Sequence, residues 1–153
     1  MQQEQYMEDP DNNQTDSIEI PEEDYLYTAI SQLPDSGYGL FTAIPIYKEE
    51  IISYFKGEIL SDAEAALRAG KNLDQYFINL LDGSIMDSKN TDCFAKYAND
   101  AQGFSTSNFK NNAQITLDEN NAICLIATKN LKAGEEIFCS YGKKYWEKRK
   151  KPK

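Results

Sequence analysis

Hydrophobic residues along most of this chain occur in short runs, which either alternate with polar residues or stay apolar for only a few positions. Turn-forming residues separate the runs, for example at positions 34–37 and 132–134. Short runs with close turns between them are typical of β-strands. We therefore predict a mostly β fold with strands in residues 25–31, 39–44, 50–60, 73–81, 113–118, 122–128 and 136–140.

One helix is strongly indicated by its local chemistry. Ser61 and Glu64 have the spacing of a capping box, and strong helix formers follow up to Ala69. Gly70 stands where a helix often ends, so we predict that it provides the C-terminal cap. Two further short helices are predicted, one over residues 92–98 and one starting at Lys143.

The charge is segregated along the chain. Residues 1–24 contain nine acidic residues and no basic one, whereas residues 143–153 contain seven basic residues and one acidic residue. We predict a disordered acidic tail over residues 1–22, one folded domain over 23–147 and a basic tail over 148–153. The middle of the chain carries a net charge of −6, which favours a cationic partner over nucleic acid. A small nucleic-acid-binding β domain that uses the basic tail is the less favoured alternative.

Composition excludes several kinds of site. The sequence contains no histidine, so histidine-based acid–base catalysis and histidine ligation of metals are excluded. Cys93, Cys124 and Cys139 are far apart, and we interpret them as buried thiols in a reducing compartment. No segment has the pattern of a signal peptide or a membrane span. We expect a soluble intracellular protein, in a bacterial cytoplasm or in a nucleus.

Four segments have the residue types of a ligand site, although each also has a purely structural interpretation. Gly37-Tyr38-Gly39 allows close approach of backbone to a ligand, or forms a tight turn. Residues 95–100 end in an amide and a carboxylate, which fix a polar ligand or cap a turn. Residues 131–142 end in a tyrosine followed by glycine, and Tyr145-Trp146 is either a stacking platform or a packing contact.

In this order and spacing, the four segments resemble the motifs of SET-domain protein lysine methyltransferases. The resemblance extends from Pro34 to Trp146, and its last motif is the most specific. The matching segments are Gly37–Phe41, Phe55–Glu58, Ala95–Asp100 and Gly134–Gly142, with lesser matches at Asp87 and Asn112. The resemblance implies a β-clip fold of several small curved sheets with few short helices. It also implies a C-terminal pseudoknot that passes under the loop near Asn99.

The resemblance further implies transfer of a methyl group from S-adenosylmethionine to a lysine amine, with no metal. Tyr141 is the implied catalytic residue. Cofactor binding is implied for Gly37, Tyr38, Gly39, Tyr76, Asn99, Asp100 and Trp146. The implied wall of the substrate channel consists of Tyr54, Phe55, Tyr97, Cys139 and Tyr145. The implied partner is a lysine-bearing protein or peptide, with histone tails as the commonest target of the family.

Several residues depart from the family pattern. Asp100-Ala101 replaces the usual His-Ser, Phe55 replaces a common tyrosine, and Ser140 replaces the usual aspartate. Cys139 stands two positions before Tyr141, where the family usually has a larger aromatic residue, so a roomier channel that permits di- or trimethylation is expected. The cysteine-rich zinc segment that often follows this domain is absent from the sequence. These departures keep open an alternative, a catalytically degenerate SET-like module that binds proteins.

Overall fold

A computed structural model describes residues 18–80, 82–103 and 108–140 of the chain. The predicted mostly β architecture is confirmed: in the described residues nine short strands accompany a single α-helix, α1 (Asp62–Gly70). The strands are β1 (Leu26–Ile30), β2 (Tyr38–Thr42), β3 (Ile51–Tyr54), β4 (Glu58–Leu60), β5 (Phe77–Asn79), β6 (Ile85–Asp87), β7 (Ala113–Leu117), β8 (Ile123–Ala127) and β9 (Glu136–Ile137).

The strands form three small antiparallel sheets, with orders β1-β2-β9, β3-β8-β7 and β4-β6-β5. The first two sheets share the main hydrophobic core, to which Leu40, Ile52, Leu125 and Ile137 each contribute a fully buried side chain. Burial of such side chains from water is the main favourable contribution to folding. The third sheet and α1 lie between β3 and β7 in the sequence and form an insertion into this core.

The predicted strand over residues 50–60 is two strands in the structure. β3 ends at Tyr54 and pairs with β8, whereas β4 starts at Glu58 and pairs with β6. Gly57 lies between them against the backbone of Asp87, where an added Cβ would meet the carbonyl oxygen of that residue. The chain therefore leaves one sheet and enters another at a position where only glycine fits.

The predicted N-cap of α1 at Ser61 is confirmed, although the Glu64 carboxylate binds Arg68 and no reciprocal bond to Ser61 is seen, and the predicted end of the helix is wrong. The Ser61 hydroxyl accepts a hydrogen bond of 3.1 Å from the backbone N–H of Glu64. Gly70 is still helical, and the left-handed residue that follows is Asn72, at φ 61°. Asparagine tolerates this conformation better than most residues, so it ends the helix in place of the glycine.

The second predicted helix is only a 3-10 turn, Ala95–Tyr97. It stops because Ala98 is extended, with ψ at 122°, as the chain turns into the bridge at Asn99. The third predicted helix lies outside the described residues. Among those described, no helix is long and apolar enough to cross a membrane.

The described residues before β1 pack on the domain. Ile18 packs against the main core, and a 3-10 turn spans Glu22–Asp24. The Glu22 carboxylate accepts hydrogen bonds from the Ser53 hydroxyl at 2.7 Å and the Tyr54 N–H at 3.1 Å. Contacts with the folded core thus reach residues on the tail side of the boundary that we predicted at position 22.

The segment after β9 crosses two distant parts of the chain. Cys139 donates its N–H to the Asn99 carbonyl at 2.8 Å, and Ala113 donates its N–H to the Phe138 carbonyl at 3.0 Å. The Asn112 side chain secures the crossing, since it accepts from the Phe138 N–H at 2.9 Å and donates to the Glu136 carbonyl at 3.0 Å. Residues 138–139 therefore lie beside the loop at Asn99, as the resemblance implied for this segment.

Candidate active site

A cavity of about 450 Å³ opens where the first sheet, the insertion and the Ala95–Tyr97 turn meet. This volume lies within the usual range for small-molecule sites. The cavity is lined by Asp35, Ser36, Gly37, Tyr38, Phe55, Gln75, Tyr76, Phe77, Ile78, Ser88, Ala95, Lys96, Tyr97, Ala98, Asn99, Asp100, Ile115 and Cys139. It unites residues that are separated by more than 100 positions in the sequence.

The glycine loop enters this cavity from the start of β2. Gly37 has φ 64°, a left-handed conformation that side chains rarely adopt, and nothing lies within 4 Å of where its Cβ would be. The loop therefore presents bare backbone to the cavity. Asn99 holds it in place, because its side-chain amide donates a hydrogen bond of 3.1 Å to the Tyr38 carbonyl.

Gly39 does not line the cavity, but its lack of a side chain leaves room for Glu136 and Ser31 to pack against β2. An added Cβ would lie 2.9 Å from Cδ of Glu136 and 3.3 Å from Cβ of Ser31. The Glu136 carboxylate is 1% exposed and cannot easily move, since it accepts from the Ser31 hydroxyl at 2.6 Å and the Gln32 N–H at 2.8 Å. A buried carboxylate of β9 thus fixes the strand that carries the glycine loop.

Asp100 occupies the position of the family histidine and is held by amides. One of its carboxylate oxygens accepts from the Gln102 N–H at 2.9 Å and from the Asn111 side chain at 3.0 Å. Asn111 also accepts from the Ala101 N–H at 2.9 Å. The sequence drew no attention to Asn111, although an amide here supplies the donors that a buried carboxylate needs.

Three of the residues implied for the channel meet in the cavity: Phe55, Tyr97 and Cys139. Burial, together with the negative charge of Asp100, raises the pKa of the Cys139 thiol to about 12. The thiol is therefore neutral at physiological pH, and this part of the wall carries neither a charge nor a strong hydrogen-bonding group. Ile115 adds a further apolar surface that the sequence did not indicate.

Other implied site residues lie elsewhere. Tyr54 does not line the cavity, and its hydroxyl donates a hydrogen bond of 2.9 Å to Asp118 at the end of β7. Its neighbour Phe55 faces the cavity instead, because successive residues at a strand end point to opposite faces. Tyr141, Tyr145 and Trp146 lie outside the described residues.

The polar groups of the cavity suit a ligand with both polar and apolar parts. Ser88 is 1% exposed, and its hydroxyl has no hydrogen-bond partner among the described residues. Its oxygen has almost no accessible surface, so Ser88 does not count as a donor to a ligand in the cavity. The open backbone at Gly37 and the apolar surface of Tyr76 fit a nucleoside–amino-acid cofactor such as S-adenosylmethionine.

Comparison with known proteins assigns the fold to a family. A sequence model of the SET domain matches residues 37–142. The chain belongs to the SET-domain family. The matched region contains the cavity residues from Gly37 to Cys139, and it covers more than half of the chain.

Several solved structures similar to this SET-domain chain are of one complex. A humanized mutant of the Chaetomium thermophilum Polycomb Repressive Complex 2 bound to an inhibitor is 30% identical, with a TM-score of 0.64 over 76% of this chain and 15% of that chain. The same complex in an autoinhibited conformation, bound to S-adenosylmethionine, is 30% identical, with a TM-score of 0.63 over 77% of this chain and 15% of that one. The chain therefore has the SET methyltransferase fold but spans only about 15% of the length of these relatives.

No curated protein sequence gives a significant match to the chain. In the described part of the chain, no group of three cysteine, aspartate or glutamate side chains is arranged to hold a metal ion.

Proposed function

We propose that this SET-domain chain is an S-adenosylmethionine-dependent protein-lysine N-methyltransferase. The observation that carries the proposal is that one cavity joins the residues implied for the cofactor to those implied for the lysine channel. Gly37, Tyr38 and Asn99 line the same cavity as Phe55 and Cys139. Direct transfer needs the methyl carbon and the amine within about 3–3.5 Å of each other, which a single shared cavity permits.

The residues proposed to hold the cofactor are those of the glycine loop, together with Tyr76, Asn99 and Asp100. One similar structure is bound to S-adenosylmethionine, which supports the choice of this cofactor. When bound, the cofactor supplies an electrophilic methyl group on a sulfonium. Gly39 acts indirectly, by allowing β2 to pack against Glu136, and Trp146 remains a proposed contact beyond the described residues.

The apolar channel wall favours the neutral form of the substrate amine. Free lysine has a pKa of about 10.4, so at neutral pH nearly all of it is protonated and cannot attack. Phe55, Tyr97, Ile115 and Cys139 offer no carboxylate to an ammonium group. Desolvation by such a wall lowers the pKa of the amine and increases its reactive fraction.

Tyr141 is the proposed catalytic residue, with its hydroxyl orienting the amine. It is two positions after Cys139, the last residue of the segment that crosses Asn99. Neither Phe55 nor the neutral Cys139 thiol can take over as a proton acceptor, since one has no polar atom and the other has a pKa of about 12. Positioning, rather than strong basicity, is what the reaction needs from Tyr141.

The wall at Cys139 bears on how many methyl groups the channel admits. Cysteine is much smaller than the phenylalanine or tyrosine usual at this position, and its side chain lines the cavity. A methylated amine needs more room at each round, so the proposal includes di- or trimethylation as the product. Tyr54 is not part of the proposed channel, because its hydroxyl is bound to Asp118.

The proposed substrate is a lysine-bearing protein or peptide, with histone tails as the first candidates. The central part of the chain, residues 25–142, carries a net charge of −6, which attracts basic segments. The similar structures belong to Polycomb Repressive Complex 2. Neither nucleic acid nor a membrane is part of the proposed reaction.

The test is transfer of labelled methyl from S-adenosylmethionine to histones and lysine-rich peptides, comparing the wild type with Tyr141→Phe. Label on lysine that falls by at least about 100-fold in the variant supports the proposal, in line with the usual effect of losing a positioned catalytic group. Product masses give the number of methyl groups. Absence of both transfer and cofactor-dependent thermal stabilisation would instead favour the degenerate binding module.

A further inference from the structure

Lys96 has an unusual position in the wall of the cavity. It belongs to the Ala95–Tyr97 turn, is half-buried and lines the cavity next to Tyr97. It lies within the segment Ala95–Asp100 that resembles the family motif, but no role was implied for it, because a lysine in a mixed segment is usually a solvated surface residue.

All three protons of the Lys96 ammonium group are used by backbone. Nζ donates to the carbonyl oxygens of Ser88 at 3.1 Å, Lys89 at 3.1 Å and Thr91 at 2.9 Å. An ammonium has three donors, so the group is fully satisfied and held in one place. Lys96 thereby ties the segment after β6 to the turn that leads into Asn99.

The same ammonium lies over two aromatic rings. Nζ is 5.4 Å from the ring centroid of Tyr97 and 5.8 Å from that of Tyr76. Both distances are within the range of cation–π attraction, about 6 Å. Tyr97 belongs to the proposed channel and Tyr76 to the proposed cofactor site, so one side chain fixes a ring in each.

Within the described part of the chain, the charge of Lys96 has no counter-ion. The ion pairs among the described residues all involve Arg68, and no carboxylate lies within 4 Å of the Lys96 ammonium. Carbonyl dipoles and ring faces stabilise a cation but carry no net charge to cancel it. A fixed positive charge therefore remains in the cavity wall.

Other charged or titratable groups around the cavity differ from Lys96 in position or state. Asp35 is exposed in the turn before β2, where solvent screens it. Asp100 carries a negative charge in the same cavity lining, but it is buried and its carboxylate accepts hydrogen bonds from Gln102 and Asn111. The tyrosines are Tyr38, Tyr76 and Tyr97, and Cys139 is a neutral thiol. Asp92, close to Lys96 in sequence, is exposed. Lys96 is thus the one cation that the described cavity wall contains.

We propose that Lys96 is a positioning residue for the methyl transfer, which fixes the rings of Tyr76 and Tyr97 and supplies a positive charge that disfavours a second cation in the cavity. The cation that matters most is the protonated substrate amine, which must lose its proton before it attacks. The sulfonium form of the cofactor is disfavoured for the same reason relative to its neutral thioether product. The inference rests on the proposed function.

The first test measures the single-turnover rate of methyl transfer against pH for the wild type, Lys96→Gln and Lys96→Arg. Glutamine keeps at most two of the three donors and removes the charge, whereas arginine keeps the charge and has donors enough for all three carbonyls. We expect the rising limb of the Lys96→Gln profile to move to higher pH by about half a unit to one unit, as for a charge at the cavity wall. The Lys96→Arg profile stays within about 0.2 units of the wild type, since its charge is unchanged.

A second measurement needs no activity. The ratio of dissociation constants for S-adenosylmethionine and S-adenosylhomocysteine compares a cation with its neutral counterpart in the same site. Removal of the wall charge in Lys96→Gln should change this ratio in favour of S-adenosylmethionine by about two- to fivefold. Lys48→Gln is the matched control, because Lys48 is exposed and does not line the cavity, and it should change neither the ratio nor the pH profile.

The outcomes separate this inference from the proposed function. An active wild type with an unshifted Lys96→Gln profile and an unchanged ratio would overturn the role of Lys96 alone. A rate loss in Lys96→Gln that is equal at every pH would also overturn it, because that is the result of a merely structural contact. A wild type that transfers no methyl group overturns the proposed function, while the ratio still reports whether the wall charge acts on bound cations.

Discussion

Two regions beside the cavity, the sheet wall and the insertion wall, are built on different physical principles. Only some of their residues, such as Tyr38, Phe77 and Cys139, line the cavity itself. The sheet wall, which consists of β2, β9 and residues 138–139, is held by fully buried apolar side chains such as Leu40 and Ile137 and by the buried Glu136 carboxylate. The insertion wall, which consists of β4–β6 and α1, buries only Leu60, Ala65 and Asp87 among its described residues. The comparison shows that one side of the site depends on packing and the other on polar contacts.

Arg68 is the centre of the polar contacts in the insertion wall. Its side chain extends from α1 and forms ion pairs with Glu58 at 3.0 Å, Glu64 at 2.7 Å and Asp87 at 2.8 Å. These three carboxylates hold the pKa of the guanidinium above its usual value, mainly through the hydrogen bond that Arg68 donates to Glu58. Ser88, next to Asp87, lines the cavity, so these ion pairs connect the exposed helix to the site. Regions with few buried apolar contacts open locally at lower cost, so we expect the insertion wall to be the more mobile of the two.

Gly39→Ala should have the largest effect on stability, because it adds a methyl group inside the tightly packed sheet wall. The added methyl group would overlap the Glu136 carboxylate, which its hydrogen bonds prevent from moving. We expect a loss of about 2–3 kcal/mol in the free energy of unfolding, the usual cost of overpacking. Chemical denaturation measures the loss, and cofactor-dependent thermal stabilisation should fall with it.

Gly70→Ala is the matched control for that substitution. Nothing lies within 4 Å of the Cβ that it adds, and Gly70 is helical. Stability should rise by up to about 0.5 kcal/mol, because alanine favours the helix over glycine. If Gly39→Ala and Gly70→Ala changed the free energy of unfolding equally, the contrast between the tightly packed sheet wall and the insertion wall would be contradicted.

Asp87→Asn should have an intermediate effect, since it removes the buried partner of Arg68. The Asp87 side chain is 1% exposed, whereas that of Glu64 is 41% exposed. We expect Asp87→Asn to cost about 1–3 kcal/mol, as for a buried pair that loses one charge. Glu64→Gln should stay within about 0.5 kcal/mol, because exposed ion pairs contribute little. A larger loss for Glu64→Gln in urea denaturation would refute the view that burial makes the difference.

The smallest effect is on stability at acid pH. It compares Asp118, in the turn between β7 and β8, with Asp82, in the turn between β5 and β6 of the insertion. Hydrogen bonds lower the pKa of Asp118, chiefly from the Ala122 N–H, and that of Asp82, chiefly from the Ser84 hydroxyl. A lowered folded-state pKa gives stability that is present above the unfolded value of 3.8 and is lost as pH falls through the folded value. Asp118 also binds Tyr54 of β3, whereas Asp82 binds only within its own turn.

Asp118→Asn should therefore lower the Tm at pH 7 by more than Asp82→Asn does. Both differences from the wild type should begin to shrink below about pH 4 and vanish once the pH falls through the lowered folded-state pKa, where the wild-type carboxylate is itself protonated. Thermal melts between pH 2.5 and 7 test this expectation. A gap for Asp118→Asn that stays constant down to pH 2.5 would show that its carboxylate charge is not responsible.

The local pattern predicted most of the strands but not how they divide between sheets. All seven predicted strand regions contain an observed strand, whereas β6 was missed because three residues after a turn give too short a pattern. The break at Gly57 was missed as well, since it depends on Asp87, which lies 30 positions further along the chain. Gly70 was chosen as a helix cap on propensity alone, and the path of the chain selected Asn72.

Motif resemblance indicated part of the site and overlooked the rest. Gly37, Asn99 and Cys139 were named from the sequence, and the structure brings them into one cavity. Ile115 and Ser88 were not named, because nothing in their neighbours along the chain marks them as wall residues. Lys96 lies within the matched segment Ala95–Asp100 but was given no role, because its contacts with Ser88 and Tyr76 exist only in the folded chain. Tyr54 and Phe55 were both assigned to the channel, and only the geometry of the strand end separates them.

The sequence by itself determined the fold class, the cap of α1 and the family, since these depend on patterns that extend over a few neighbouring residues. The tertiary structure decided which residues face the cavity and which contacts hold them there. Glu136 meets Gly39 and Ser31 across about a hundred positions, and residues 138–139 pass between Asn99 and Ala113. Contacts of this kind form only when the whole chain has packed, because burial and close approach arise from the summed geometry of three sheets and not from any local pattern.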